Sequence, residues 1–302
     1  MRHNVAELEA QMRATRAQLE AANAKLEARA GRNLVFAIGI GVALGGAFLV
    51  SLIILKWLFI LFGAVLIGFA VFELSSALRF AGRDVPRVAS VVVAVVAMPA
   101  AFFLGVEGLW LAVIAGVVVI TLWRLGELVT RRGRASARDV LKDLVAGGFV
   151  QLYVTLLGGF YVVLTGLDGG QWWTLAAIIT VVAVDLGAYA AGVTLGRHPM
   201  APRISPKKTW EGFAGAAVFA VVSAVLLSWL MLQQSPWLGI PLGLALLITA
   251  TGGDLVESLI KRDLGIKDIS SWLPGHGGFL DRLDSILSSA AVAYAFYLVV
   301  VR

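Results

Sequence analysis

Two polar stretches in the second half of the chain hold residue types suited to chemistry. In the first, Asp185 and Tyr189 precede the run Arg203-Ile204-Ser205-Pro206-Lys207-Lys208-Thr209-Trp210-Glu211-Gly212. Ser205 followed by Pro206 has the form of a helix N-cap and first helical position, which predicts Lys207 and Lys208 in the first turn. Lysines there oppose the helix dipole, so helix stability does not account for them. Free backbone N–H groups beside two ammonium groups suit a phosphate or polyphosphate. A basic loop resting on anionic lipid headgroups explains the same residues. In the second stretch Asp254, Ser258 and Lys261 follow an i, i+4, i+7 spacing, placing a carboxylate, a hydroxyl and an ammonium group on one helical face. Lys267 and Asp268 come next, then Leu273-Pro274-Gly275-His276-Gly277-Gly278, a tight loop whose backbone is free to approach a ligand. Asp281, Arg282, Asp284 and Ser285 open the last apolar run, and the i, i+3 spacing of Asp281 and Asp284 lets the two carboxylates share a face.

The chain has no cysteine and three histidines, His3, His198 and His276. Disulfides, thiolate metal sites and cysteine nucleophiles are thereby excluded. Carboxylates without a cysteine or histidine cluster suit a hard, oxygen-seeking cation such as Mg²⁺. Carboxylates beside Lys and Arg also suit phosphoryl chemistry, in which a metal bridges phosphate oxygens and cations stabilise developing charge. Loops held together by salt bridges are the plainer explanation of the same residues.

The 27 residues from Ser258 to Asp284, SLIKRDLGIKDISSWLPGHGGFLDRLD, resemble without a gap the signature of phosphatidate cytidylyltransferases, also called CDP-diacylglycerol synthases. The segment from Ser205 to Gly212 is similar to a second characteristic segment of that family. The resemblance is specific over roughly 185–285. It implies transfer of the cytidylyl group of CTP to phosphatidate, giving CDP-diacylglycerol and pyrophosphate. It also implies a need for Mg²⁺, with K⁺ as a second cation, and a membrane-embedded homodimer. Carried over by position, Asp254 and Asp281 are the expected metal ligands, with Asp284 beside them. Asp254, Ser258, Lys261, Arg262, Asp281 and Arg282 form the expected catalytic set. Ser205, Lys207, Lys208, Lys267, Asp268, His276, Gly277, Gly278 and Asp185 are the expected substrate contacts. An anionic lipid phosphate can attack the α-phosphorus of CTP directly, so the missing cysteine nucleophile is no obstacle. The signature alone leaves open another lipid phosphate as acceptor. An ion-coupled transporter would carry an inverted repeat, and none is visible because the polar elements all lie in the second half.

Holding such residues requires elements that live in lipid. Fifty-nine per cent of residues are hydrophobic and 15% charged, far from the balance of a soluble domain. An all-α polytopic membrane protein is expected, with about nine apolar runs of spanning length near 34–54, 57–78, 87–105, 108–124, 148–166, 171–191, 213–232, 237–257 and 284–301. With the N-terminus in the cytoplasm, all of the 25 lysines and arginines except Lys56 and Arg302 fall on the cytoplasmic side. The formal charge of +6 therefore reports orientation and headgroup contact, not nucleic-acid binding. A bacterial plasma membrane with a cytoplasmic active face is expected. Three acidic residues fall within or at the edge of spans: Glu73, Asp185 and Asp254. Ionisable groups there need a partner, a metal or a water-filled cavity, and Arg79 is the expected partner of Glu73.

The chain divides into a cytoplasmic extension (1–32), N-terminal spans (33–147) and a C-terminal catalytic region (148–302). In the extension Val5, Leu8, Met12, Leu19, Ala22 and Leu26 follow a heptad spacing, broken at Thr15, that predicts an amphipathic helix or short coiled coil.

Overall fold

In hydrocarbon a backbone can satisfy its N–H and C=O groups only by bonding to itself, so long apolar runs become helices. The computed structural model describes residues 34–130, 136–266, 268–270, 272 and 277–301. The heptad-spaced extension, Lys267 and His276 lie outside the described residues. Helix α1 (Leu34–Leu49) runs into a π-helical turn at Val50–Ile54 and is followed by α2 (Lys56–Phe80) and α3 (Arg87–Thr130). Helix α4 (Ala137–Val150) passes through a second π-helical turn, Gln151–Leu156, into α5 (Leu157–Gly166). Then come α6 (Gly170–Leu195), strands β1 (Pro199–Ala201) and β2 (Ser205–Thr209), α7 (Trp210–Leu230), α8 (Gly239–Asp263) and α9 (Leu280–Val301).

Among the described residues, seven helical segments are long and apolar enough to cross a membrane, and Gly41–Ile54 is a shorter apolar helix. The sequence count of nine is higher for two reasons. The first apolar run yields only that shorter helix, and the runs at 87–105 and 108–124 count together as one segment although they are two helices meeting at a kink. That stretch is not straight. Gly105 adopts φ 67° and ψ −150°, a region essentially closed to residues with a Cβ. There the helix turns back on itself: a Cβ added to Gly116 would lie 2.1 Å from a methyl of Val93, 23 residues earlier. A similar reversal near Leu55 brings the rings of Phe48 and Phe62 to 5.9 Å.

Outward-facing positions remain strongly apolar. Phe103, Val129, Trp237 and Val299 are each at least 70% exposed, which fits lipid as the surrounding solvent. Inside, one large core joins α2, α3, α5, α6 and α9 through residues such as Leu74, Met98, Leu109, Val162 and Leu287. A smaller core of Val181, Val184, Ala216, Ala220, Leu247 and Ala250 packs α6, α7 and α8. Its small side chains let these three helices approach closely, the packing mode that hydrocarbon favours.

The polar connections gather at one end of the bundle. There Arg124, 6% exposed, donates twice to Oδ2 of buried Asp143 (3.1 and 2.8 Å) and reaches Asp84 at 3.1 Å. Asp84 is also held by Arg79 at 2.8 Å, so Arg79 is committed to Asp84 and not to Glu73. The β1–β2 hairpin lies between α6 and α7, paired from Pro199↔Thr209 to Ala201↔Ser205.

Candidate active site

Each functional side chain is placed by a local rule. Residues Ser205–Thr209 form β2, not the start of a helix. The helix begins at Trp210, and its N-cap is Thr209, whose hydroxyl accepts from Gly212 N at 3.1 Å. The extended backbone of Thr209 (φ −124°, ψ 157°) continues the hairpin directly into the cap. Lys207 and Lys208 therefore project from a strand and not from a first turn. The polar-to-apolar boundary after Gly212 and the threonine three residues before it were the available signals. Pro206 was misleading, because proline also fits a short edge strand.

On α8 the one-face spacing is realised. Ser258 Oγ donates to Asp254 Oδ1 at 3.3 Å, and Lys261 on the next turn reaches Asp281 Oδ1 at 3.0 Å. Lys261 also pairs with Glu257, whose side chain is 1% exposed. Asp281 is fixed from its own loop as well, because Gly278 N donates to its Oδ2 at 2.9 Å. Asp284 Oδ1 accepts from Ser285 N at 2.6 Å.

Glu73 decides where the loop before α9 sits. Its buried carboxylate, on α2, accepts from Phe279 N at 3.0 Å, Leu280 N at 2.9 Å and the hydroxyl of Ser270. An anionic cap at the N-terminus of α9 meets otherwise orphaned N–H groups and the positive end of the helix dipole. Gly278 must lack a side chain, since a Cβ there would lie 2.8 Å from Glu73 Oε2. Around this anchor Phe69 stacks on Phe279 at 4.7 Å and Phe72 lies 5.2 Å from Trp272.

These elements surround a cavity of about 370 Å³ bordered by Asp185, Lys207, Lys208, Asp254, Asp281 and Asp284. Tyr189, Thr209, Thr251 and Ser285 complete its polar wall. Lys208 Nζ crosses to Asp254 Oδ2 at 2.6 Å. Other sequence candidates lie elsewhere. Ser205 is at the far end of β2, and exposed Arg262 braces the hairpin by donating to Ile204 O at 3.3 Å. Asp268 is exposed on the connection between α8 and α9, and Gly277 takes the turn there at φ 82°. Arg282 lines a separate, apolar cavity. Sequence reasoning missed Thr209 as the cap and Glu73 as the anchor; the second joins positions more than 190 residues apart, beyond any local pattern.

The carboxylates form an all-oxygen donor set suited to a hard cation. Among the described residues no three acidic or histidine side chains make a ready-made metal cage. Aspartates facing lysines across one polar cavity form an arrangement suited to binding phosphates.

A model of the cytidylyltransferase family matches residues 36–300. The chain belongs to that family. The resemblance read from residues 185–285 thus extends over nearly the whole length. Similar proteins include the phosphatidate cytidylyltransferase of Mycobacterium bovis, 38% identical over 271 residues that cover 88% of this chain and 89% of the relative. That of Mycobacterium leprae is 37% identical over 274 residues, covering 88% of each. Phosphatidate cytidylyltransferase 4, chloroplastic, of Arabidopsis thaliana is 34% identical over 299 residues, covering 88% of this chain and 72% of the relative. Both polar stretches lie within the family match.

Proposed function

We propose that this chain is a phosphatidate cytidylyltransferase, making CDP-diacylglycerol and pyrophosphate from CTP and phosphatidate. The observation that carries the reading is the cavity in which Lys207 and Lys208 face Asp185, Asp254, Asp281 and Asp284. An anionic oxygen of phosphatidate attacks the α-phosphorus of CTP. One P–O bond forms as the bond to the pyrophosphate leaving group breaks, and no protein nucleophile takes part.

Lys207 and Lys208 hold the triphosphate and offset its charge. Asp254 and Asp281 would hold Mg²⁺ with Asp284 beside them, and the ion, when bound, neutralises phosphate oxygens. Lys261 keeps Asp281 aimed at the cavity, and Ser258 does the same for Asp254. Catalysis then rests on positioning and charge neutralisation.

The membrane arrangement belongs to the same reading. Nine passes follow if the Gly105 reversal separates two spans and the Leu34–Ile54 segment supplies another. The polar end then faces the cytoplasm of a bacterial plasma membrane, which supplies CTP, while phosphatidate arrives from the inner leaflet.

The test follows radiolabelled CTP into the lipid fraction with purified protein and phosphatidate, with and without Mg²⁺, beside Asp281→Asn. Mg²⁺-dependent CDP-lipid formation that is lost in the variant supports the reaction and the role of Asp281. Activity surviving the substitution removes Asp281 from that role. No product from folded wild type overturns the reading.

A further inference from the structure

Helix α9 separates two cavities of opposite character. Asp281, Asp284 and Ser285 face the polar one. Arg282, Leu283 and Ile286 face an apolar one of about 310 Å³, whose other walls include Phe62 and Leu66 of α2 and Ile178 of α6. Such a volume lies at the lower end of small-ligand sites, about 300–1,000 Å³, which are typically apolar with a few placed polar groups. Among the described residues, Arg282 is the one charged side chain on this wall.

The slot has a direction. Its polar end, at Phe279 and Arg282, lies at the N-terminus of α9, the level at which Glu73 caps the helix. From Leu66 it runs along α2 to Phe59, seven residues farther from Glu73. At 1.5 Å per residue this is roughly 10 Å. That depth is most of one leaflet of a hydrocarbon core about 30 Å thick. A cation at one end and hydrocarbon walls along the rest match a lipid phosphate with one chain beside it.

We propose that this slot receives one acyl chain of the phosphatidate, with Arg282 at the junction of chain and headgroup. The inference rests on the functional reading above and adds a determinant of chain selection to it. The slot and the polar cavity lie on two faces of one helix, so a phosphatidate chain seated here keeps its headgroup near the start of α9, where Asp281 and Asp284 border the polar cavity. A guanidinium is suited to that junction because its flat fork pairs with phosphate oxygens while its stem lies along apolar surface.

The test uses the full chain in mixed micelles and compares phosphatidates bearing hexadecanoyl and hexanoyl chains. Leu66→Trp and Ile178→Trp fill the slot, and each is expected to lower the ratio of kcat/KM for long over short chains by roughly tenfold or more. Phe62→Ala, which enlarges the slot, is expected to move the ratio the opposite way and serves where a tryptophan variant does not fold. An unchanged ratio in folded, active variants overturns the proposal while leaving the reaction intact. Altered self-association with an unchanged ratio assigns the slot to a second copy of the chain and also overturns it. A folded wild type that converts neither lipid overturns the functional reading and this proposal with it.

Discussion

Lys208 Nζ lies 2.6 Å from Asp254 Oδ2, so the β-hairpin and α8 are joined across the candidate cavity by one ion pair. Both side chains remain partly exposed, at 23% and 32%, and a pair of that kind adds about 1 kcal/mol or less to stability. Its value is positional. In the proposed reaction, phosphates that compete for Lys208 would release Asp254 toward a cation.

Lys208→Met is therefore expected to lower kcat/KM for CTP by about a hundredfold, the scale of one lost charged contact to a reacting group. Thermal unfolding in detergent should move little. Lys208→Arg should recover part of the rate. Initial rates over a CTP series check this, and a large loss of stability with near-normal turnover would reverse the assignment.

Glu73 should behave in the opposite way, through structure first. Glu73→Ala leaves two backbone N–H groups and the Ser270 hydroxyl without their acceptor at a buried helix end. The expected cost is about 3 kcal/mol, from several unsatisfied donors at 1–3 kcal/mol each with partial relaxation. Glu73→Gln keeps one acceptor oxygen but turns its amide NH2 toward a backbone donor, and should lose about 2 kcal/mol, less than the alanine variant. Unfolding curves for both variants, with turnover beside them, test the order wild type, Gln, Ala.

The Arg124–Asp143 pair offers a coupling measurement. Asp143→Asn leaves a buried guanidinium short of a counter-charge and should destabilise by about 3 kcal/mol or more. Replacing Arg124 by Met in that background should cost much less than it does in wild type, because the stranded charge is gone. Strict additivity across the cycle would show that the contact at 2.8 Å carries no coupling.

Thr209 and Ser205 separate the strand from the helix start that the sequence favoured. Thr209→Val is expected to cost about 1 kcal/mol through the lost cap. Ser205→Ala, at the far end of β2, should lie within about 0.5 kcal/mol of wild type. Reversed magnitudes would return the N-cap to Ser205.

The apolar runs were plain in the sequence because lipid imposes length and hydropathy on every span. Asp254, Ser258 and Lys261 were readable as one face because a helix fixes the relation of residues four and seven apart. The hairpin was not, since Ser-Pro-Lys-Lys-Thr satisfies the composition of a helix entry and the pairing with Pro199–Ala201 is a tertiary choice. The break between the runs at 87–105 and 108–124 was legible as well, because Glu107 interrupts the apolar pattern just after Gly105, where the backbone leaves the helical region. Glu73 was visible as a costly carboxylate, but its partner was sought six residues away at Arg79. The acceptor role instead serves backbone groups of a loop synthesised much later, which no sequence window contains.

That separation has a consequence for biogenesis. Glu73 enters the bilayer with α2, and the donors at Phe279 and Leu280 follow 206 and 207 residues later. Throughout the intervening synthesis the carboxylate lacks the loop it is built to hold. The last helix is thus the closing piece of the assembly: its arrival stabilises an early span and completes the reactive centre in one event. A chain terminated before Phe279 carries both lysines of the cavity yet neither closes the loop nor contains Asp281, so activity and structural completion are expected together.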